Sequence, residues 1–371
     1  YRNLEVVLLE DLEATEDVGR RVGLAEADSP LALIGDDDLY SFRLTHAHMI
    51  RRLVEAEARV IGIDMFFPNP SANDEPFGNA CADAVEAGVP VVGIVATWDR
   101  EVIDARDMVP ALQDVIRYGR GTVREWSLDL LMERPGGASP MTSFALEVFA
   151  AWLHPDARMQ PFVSERERRV ELRFERQGVP VATESVEFTS LDQKGDAFTG
   201  IRDDDRMYSL ILDVPTVEDI GSMAHPYHEV LTLGDEAFDD LFRDKLVLIA
   251  NGITDIHQTP DGRRVPGVWK QASAIAQMMA GVTVRNVGTH QNWVGTTTLI
   301  LVSMLVGMVC SRGMSRWIAS IVVVMSIVAG SLILEFGFRY IVPPFMPSVV
   351  AVACIETSAL VQRAVRQARS L

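Results

Sequence analysis

Three long apolar runs near the end of this chain constrain it more than any other feature: residues 293–310, 317–334 and 342–361. Each approaches the roughly 20 residues that an α-helix needs to cross a hydrocarbon core about 30 Å thick. The first two runs carry no charge at all. A helix of a water-soluble protein would show polar positions every three or four residues, and that stripe is missing here. The connections, 311–316 and 335–341, are short. The pattern predicts a three-helix membrane domain over 291–361.

Charge predicts its direction. Arg312 and Arg316 lie between the first two runs, and Arg363, Arg366 and Arg369 follow the third, whereas the loop between runs two and three has Arg339 beside Glu335. Cytoplasmic loops collect the excess of Arg and Lys, so 311–316 and the stub 362–371 are expected inside. Three crossings then place residues 1–290 outside. Trp293 and Trp317 stand at run ends, where indoles favour the interface. For residues 1–290 to be exported, a signal or a further helix is expected ahead of Tyr1.

The net charge is −18 overall and +4 from Gln291 onward, which leaves −22 on the first 290 residues. So acidic a domain excludes nucleic acid as a partner and disfavours lying flat on anionic lipid. Cys310 and Cys354 fall in the apolar runs and Cys81 stands alone, so the outer domain has no internal disulfide. A domain of that size does not depend on one.

The outer domain reads as α/β. Residues 3–22 show helical spacing in Leu4, Val7, Leu8 and Leu12. Residues 31–34 form a short apolar strand, 45–58 a helix, 60–64 (VIGID) a strand, 79–87 a helix and 89–96 a strand. Apolar strands alternating with helices argue for a mostly parallel sheet with helices on both faces. Residues 141–153 read as a helix. Residues 169–174 and 179–188 alternate around Gln177-Gly178 as a β-hairpin, placed within an insertion over 155–207. Strands at 209–214 and 245–250, helices at 236–242 and 267–280, and a short strand at 283–286 complete the domain, with Gly281 as a helix cap.

Ligands of open parallel sheets lie beyond the carboxyl ends of the strands. Those ends carry Asp36–38, Asp64, Thr97, and then Asn251, Thr254 and Asp255. Asp64 stands out, because an apolar strand delivers a carboxylate into a turn with Phe66 and Phe67. The commoner use of such an Asp is to brace the turn by bonding backbone N–H groups. His257 follows in the same late loop. The motifs of phosphate loops, dinucleotide folds, zinc proteases and serine hydrolases are all absent, so no catalytic residue is assigned. His225 and His228 read as loop residues, and His46 and His48, two apart, face different sides of their helix. Asp203–205 lacks the spacing of a calcium loop. No metal and no cofactor is expected. Glu356, inside the third apolar run, is a signalling candidate, since intramembrane ionisable groups tend to be functional. Snorkelling or a helix–helix hydrogen bond accounts for it equally well.

Taken in order, several blocks resemble the type-2 CHASE domain, an extracytoplasmic sensor module of bacterial transmembrane receptors. They are Leu44-Thr45-His46-Ala47-His48 with Leu53, the run from Val60 to Phe67, Asp74, 245–250, Thr254 and Asp255, Thr259-Pro260, Pro266-Gly267-Val268 and 272–279, followed by the three apolar runs. Tyr40-Ser41-Phe42-Arg43 departs from the Trp-Pro and basic residue common in that family, and Ala250-Asn251-Gly252 from its Gly-rich turn. The resemblance implies an input module in the bacterial inner membrane that feeds a cytoplasmic cyclase or kinase. Its ligand-binding candidates are Asp64, Asp74, Asn251, Thr254, Asp255 and His257. The partners expected are membrane lipid, a second copy or larger oligomer, and a small-molecule or protein ligand outside. The alternative is a membrane-anchored structural or assembly subunit that uses a sensor-like fold.

Overall fold

A computed structural model describes residues 3–9, 42–65, 67, 70–98, 101–103, 117–121, 127–133, 140–190, 206–212, 220–221, 223–252, 255–258, 264–281 and 285–286, and then 300, 302–303, 317–318, 320–327, 340–341, 351–352, 354–357 and 360–361. The chain divides into two compact units, Tyr1–Thr283 and Val284–Leu371.

The first unit is built on one sheet. Its strands are β1 (Leu4–Leu9), β2 (Val60–Asp64), β3 (Val91–Trp98), β4 (Glu101–Ile103), β5 (Arg117–Arg120), β13 (Ala224–Pro226) and β14 (Leu246–Asn251). They stand in the order β13-β1-β14-β2-β3-β4, with β5 also on β3. Every pairing is parallel except β3 with β4. The reason lies in the sequence of the central strands. LEVVLL, VIGID and LVLIAN are apolar on both sides, so both faces must be covered. Val7, Leu9, Ile61, Ile63, Val247 and Ile249 enter one core, whereas Leu4, Val6, Leu8, Val60, Leu246 and Leu248 enter the other.

Helices supply the cover. On the first face lie α1 (Arg43–Glu55), α2 (Asp74–Glu86), α4 (Tyr227–Leu231) and α5 (Asp235–Phe242); on the second lie α3 (Phe144–Leu153) and α6 (Gly267–Ala280). Ser143 caps α3, its Oγ accepting from the Leu146 N–H at 3.1 Å. Gly281 ends α6 in the left-handed region at φ 61°, as its position in the sequence leads one to expect. The hairpin expected around Gln177-Gly178 is present as β9 (Arg169–Arg176) and β10 (Val179–Glu187), and β8 (Arg158–Ser164) joins it in a sheet of its own. A further sheet pairs β6 (Ser127–Glu133) with β7 (Met141–Thr142) and β12 (Arg206–Ile211), which in turn pairs with β11 (Thr189–Ser190). A small antiparallel pair, β15 (Ile256–Gln258) with β16 (Arg264–Pro266), precedes α6.

Some expectations need correcting. Residues 4–9 form a strand and not the start of a helix. The helical spacing of Leu4, Val7 and Leu8 is a by-product of a run that is apolar at nearly every position because it sits mid-sheet. The helix expected from 141 begins at Phe144, because Met141 and Thr142 pair with β6. His225 lies in β13 and His228 in α4, not in a loop. The strand expected at 31–34, Asp36–38 and Asp203–205 lie outside the described residues.

In the second unit the described residues include a helical stretch at 320–327, and β17 (Arg285–Asn286) paired in parallel with β18 (Tyr340–Ile341). Among the described residues no helix is long and apolar enough to cross a membrane. Most of the three apolar runs lies outside them.

One close approach fixes how α3 meets the sheet. A Cβ on Gly119 would stand 2.4 Å from the Phe144 Cα and 2.5 Å from its N, both backbone atoms at the start of α3. A side chain there must push the helix off β5. Gly119→Ala is expected to lower unfolding stability by about 1–3 kcal/mol, the usual cost of overpacking. Urea denaturation checks this, and an unchanged midpoint would show that α3 tolerates the displacement.

Candidate functional site

β2 ends on Asp64, which pairs in register with Ala250 on β14, and Ala250 in turn with Leu8 on β1. Side chains at one level of a parallel sheet share a face. Leu8 and Ala250 belong to the core under α3 and α6, so Asp64 lies on that side. Its neighbours there are apolar, and only 6% of the residue is exposed. The Oδ2 atom has no hydrogen-bond partner. Asp64 therefore does not brace its turn through that oxygen.

Asp255 comes to Asp64 by a different route. After β14 the chain passes through Asn251 and Gly252 and arrives at Asp255, whose carbonyl accepts from the Gly267 N–H at 2.7 Å. This bond docks the late loop on the first residue of α6. The Asp255 carboxylate lies so close to Gly267 that a Cβ there would stand 2.0 Å from Oδ2. The position beside a helix N-terminus favours its negative charge. His257 on β15 then places Nε2 2.7 Å from Asp255 Oδ1.

The electrostatics follow from this geometry. Burial pushes the Asp64 carboxyl up to about 8, and the nearby Asp255 carboxylate adds to the rise. At neutral pH Asp64 is thus a buried neutral carboxyl beside the half-exposed Asp255. An added cation nearby would stabilise ionised Asp64, and an added anion its protonated form. Among the described residues no three His, Cys, Asp or Glu side chains are grouped to hold a metal ion.

The other candidates separate from this pair. Asp74 opens α2 and faces the buried Arg43, with Arg43 Nε 2.7 Å from Asp74 Oδ1. Its Oδ2 accepts from the Ser71 N–H at 3.0 Å. Asp74 is thereby tied to the junction of α1 and α2, and Arg43 also stacks over Phe67 at 5.3 Å from the ring centre. Asn251 ends β14, half-buried, and Thr254 lies outside the described residues. Glu356 is half-buried in the second unit. His46 is buried, with Nδ1 2.7 Å from the Tyr227 hydroxyl amid the rings of Phe42, Phe67 and Phe77. His225 is paired with Glu5 at 3.1 Å, and Lys245 reaches the same carboxylate at 3.4 Å.

Sequence reasoning missed the burial of Arg43 and the buried polar face of α6, where Lys270, Gln271, Ser273 and Gln277 are each no more than 1% exposed. A charged side chain inside an apolar helical pattern, as Lys270 is, was the available signal.

The raised Asp64 carboxyl has a definite consequence for stability. The unfolded chain loses this proton near pH 4, whereas the folded protein holds it until about pH 8. Stability should therefore fall as pH rises between those values, by roughly 1.4 kcal/mol per pH unit from this group. Asp64→Asn should remove that slope. Urea unfolding at pH 5 and pH 7.5 measures it; identical slopes in both proteins would show that Asp64 titrates normally.

Comparison with protein families matches the chain to the CHASE2 domain over residues 33–309, most of its length. No curated protein matches the chain. No solved structure matches it either.

Proposed function

Because this chain belongs to the CHASE2 domain family, we propose that it is the input module of a bacterial transmembrane receptor. In this reading residues 1–290 form an extracytoplasmic sensor domain, and 293–310, 317–334 and 342–361 anchor it in the inner membrane. A stimulus received by the α/β domain shifts the helices and reaches a cytoplasmic output domain, such as a nucleotide cyclase or a kinase, beyond the stub 362–371. Glu356 belongs to the transmitting bundle, which pairs with a second copy. The change requires a stimulus with different affinity for two states.

The observation that carries the reading is the span of the family match. It covers residues 33–309, and so takes in nearly all of the first apolar run as well as most of the α/β domain. Two local features support the membrane part. Trp317, Ile318, Ile321, Val322 and Met325 are each more than half exposed and follow helical spacing, an apolar stripe that water does not favour. On the same stretch the Ser326 hydroxyl donates to the Val322 carbonyl at 2.8 Å. The helix thus satisfies its own polar group, as hydrocarbon surroundings demand.

Cysteine labelling tests the topology. In a background with Cys81, Cys310 and Cys354 replaced, Ser185→Cys on the exposed β10 strand should react with a membrane-impermeant maleimide in spheroplasts. Ser311→Cys should react only after lysis. The reverse pattern overturns the proposed orientation, and equal labelling of both overturns the anchor.

A further inference from the structure

The β15–β16 pair follows Asp255, leads straight into α6, and is lightly held. Among its described side chains Val265 alone is buried; Ile256, His257 and Pro266 are half-buried and Arg264 is exposed. The Asp255 carbonyl accepts from the Gly267 N–H at 2.7 Å, which closes the pair at its base. Segments with few buried side chains open locally while the core around them stays closed.

Gly267 is what lets this loop seat. A Cβ there would stand 2.7 Å from the Asp255 Cγ and 2.9 Å from the His257 Cδ2. The carboxylate thus packs on the backbone that starts α6, with His257 Nε2 at 2.7 Å from its Oδ1.

Asp64 makes the seat conditional. Only 6% of it is exposed, and its Oδ2 has no hydrogen-bond partner to steady a negative charge. The charged groups on the elements around it are Glu147 in α3, which accepts from the Thr142 hydroxyl, Lys270 in α6, and His257 and Arg264 in the β15–β16 pair. Among the described residues Asp255 alone moves the Asp64 carboxyl by its charge, in the same direction as burial does. Ionised Asp64 would therefore be a dry carboxylate beside a second carboxylate. Withdrawing Asp255 with its loop removes the repulsion and admits water, so both penalties fall together.

We propose that Asp64 and Asp255 form a pH-sensitive latch: protonated Asp64 lets the β15–β16 pair seat on Gly267, and ionised Asp64 releases it from α6. The sign follows from linkage. Release exposes Asp64 and returns its carboxyl toward the ordinary range near 4, from about 8 in the seated form. Release is thus least at low pH, grows by up to about tenfold per pH unit between those values, and levels off above 8. α6 is the last element of the first unit, so release frees the N-terminus of the helix that leads toward the apolar runs. The latch rests on the receptor reading only in making external pH the stimulus.

Hydrogen–deuterium exchange of the full chain in detergent micelles, corrected for the intrinsic pH dependence of exchange, is the test. From pH 6 to pH 8 the amides of β15, β16 and Gly267 should lose protection at least ~10-fold. At every pH they should also be at least ~10-fold less protected than β2 and β14, the mark of local opening. Loop protection that does not change with pH overturns the latch, as does protection equal to that of β2 and β14, which would mean opening only by global unfolding. Asp64→Asn keeps the His257–Asp255 contact and should hold loop protection constant over this range. A fall as steep as in the wild type would assign the response to His257 and overturn the proposal. Gly267→Ala blocks the seat without touching Asp64, and decides the matter should Asp64→Asn not fold. At pH 6 its loop should already exchange ~10-fold faster than the wild type, with the pH dependence gone; wild-type protection there overturns the seating. Membrane labelling of either outcome leaves these readings untouched, so the two proposals fail separately.

Discussion

The first unit depends on one insertion: β14 lies between β1 and β2 and pairs with both. Six residues of β14 are in register with β1, from Leu4 opposite Leu246 to Leu9 opposite Asn251, and five with β2. These three strands are the middle of the sheet, and their side chains divide between its two cores. Each core is therefore built from both ends of the domain. Removing β14 would leave β1 and β2 without a shared partner, α6 without its strand, and Asp255 far from Asp64.

The same insertion decides where chemistry lies. It brings the carboxyl end of β14 beside that of β2, so that two acids distant in sequence come together, one buried and one half-exposed. One is buried without a hydrogen bond to Oδ2, and the other sits beside a helix N-terminus with a histidine on its carboxylate. Burial outweighs neighbouring charge in setting the state of Asp64. Near β5 the arrangement differs: Arg117 donates to two backbone carbonyls, and Asp156 pairs with Arg176.

Local signals made much of this visible from the sequence. VIGID, the hairpin around Gln177-Gly178, 245–250 and the helix 267–280 are strong because each has the length and polarity its place in the fold requires. Asp64 was visible as a carboxylate at the end of an apolar strand, although its burial with an unpartnered Oδ2 was not. β1 misled, since a central strand that is apolar on both faces offers no alternation. The region from 100 to 132 hid β5 and β6 because their partners are remote: β5 pairs with β3, and β6 pairs with β12, some 80 residues away as Ser209 bonds Asp129.

The place of β14 also bears on how the protein is made. Synthesis finishes β1 and β2 long before Leu246 exists, so both strands must wait with unpaired backbone edges. At about 5–20 residues per second, elongation leaves that gap open for roughly ten seconds or more. Open, apolar parallel edges are templates for pairing with other chains. Biogenesis of this domain thus contains a hazardous interval fixed by its topology, during which a holding chaperone, or delayed collapse of the early segment, has to keep the slot between β1 and β2 empty for its own strand.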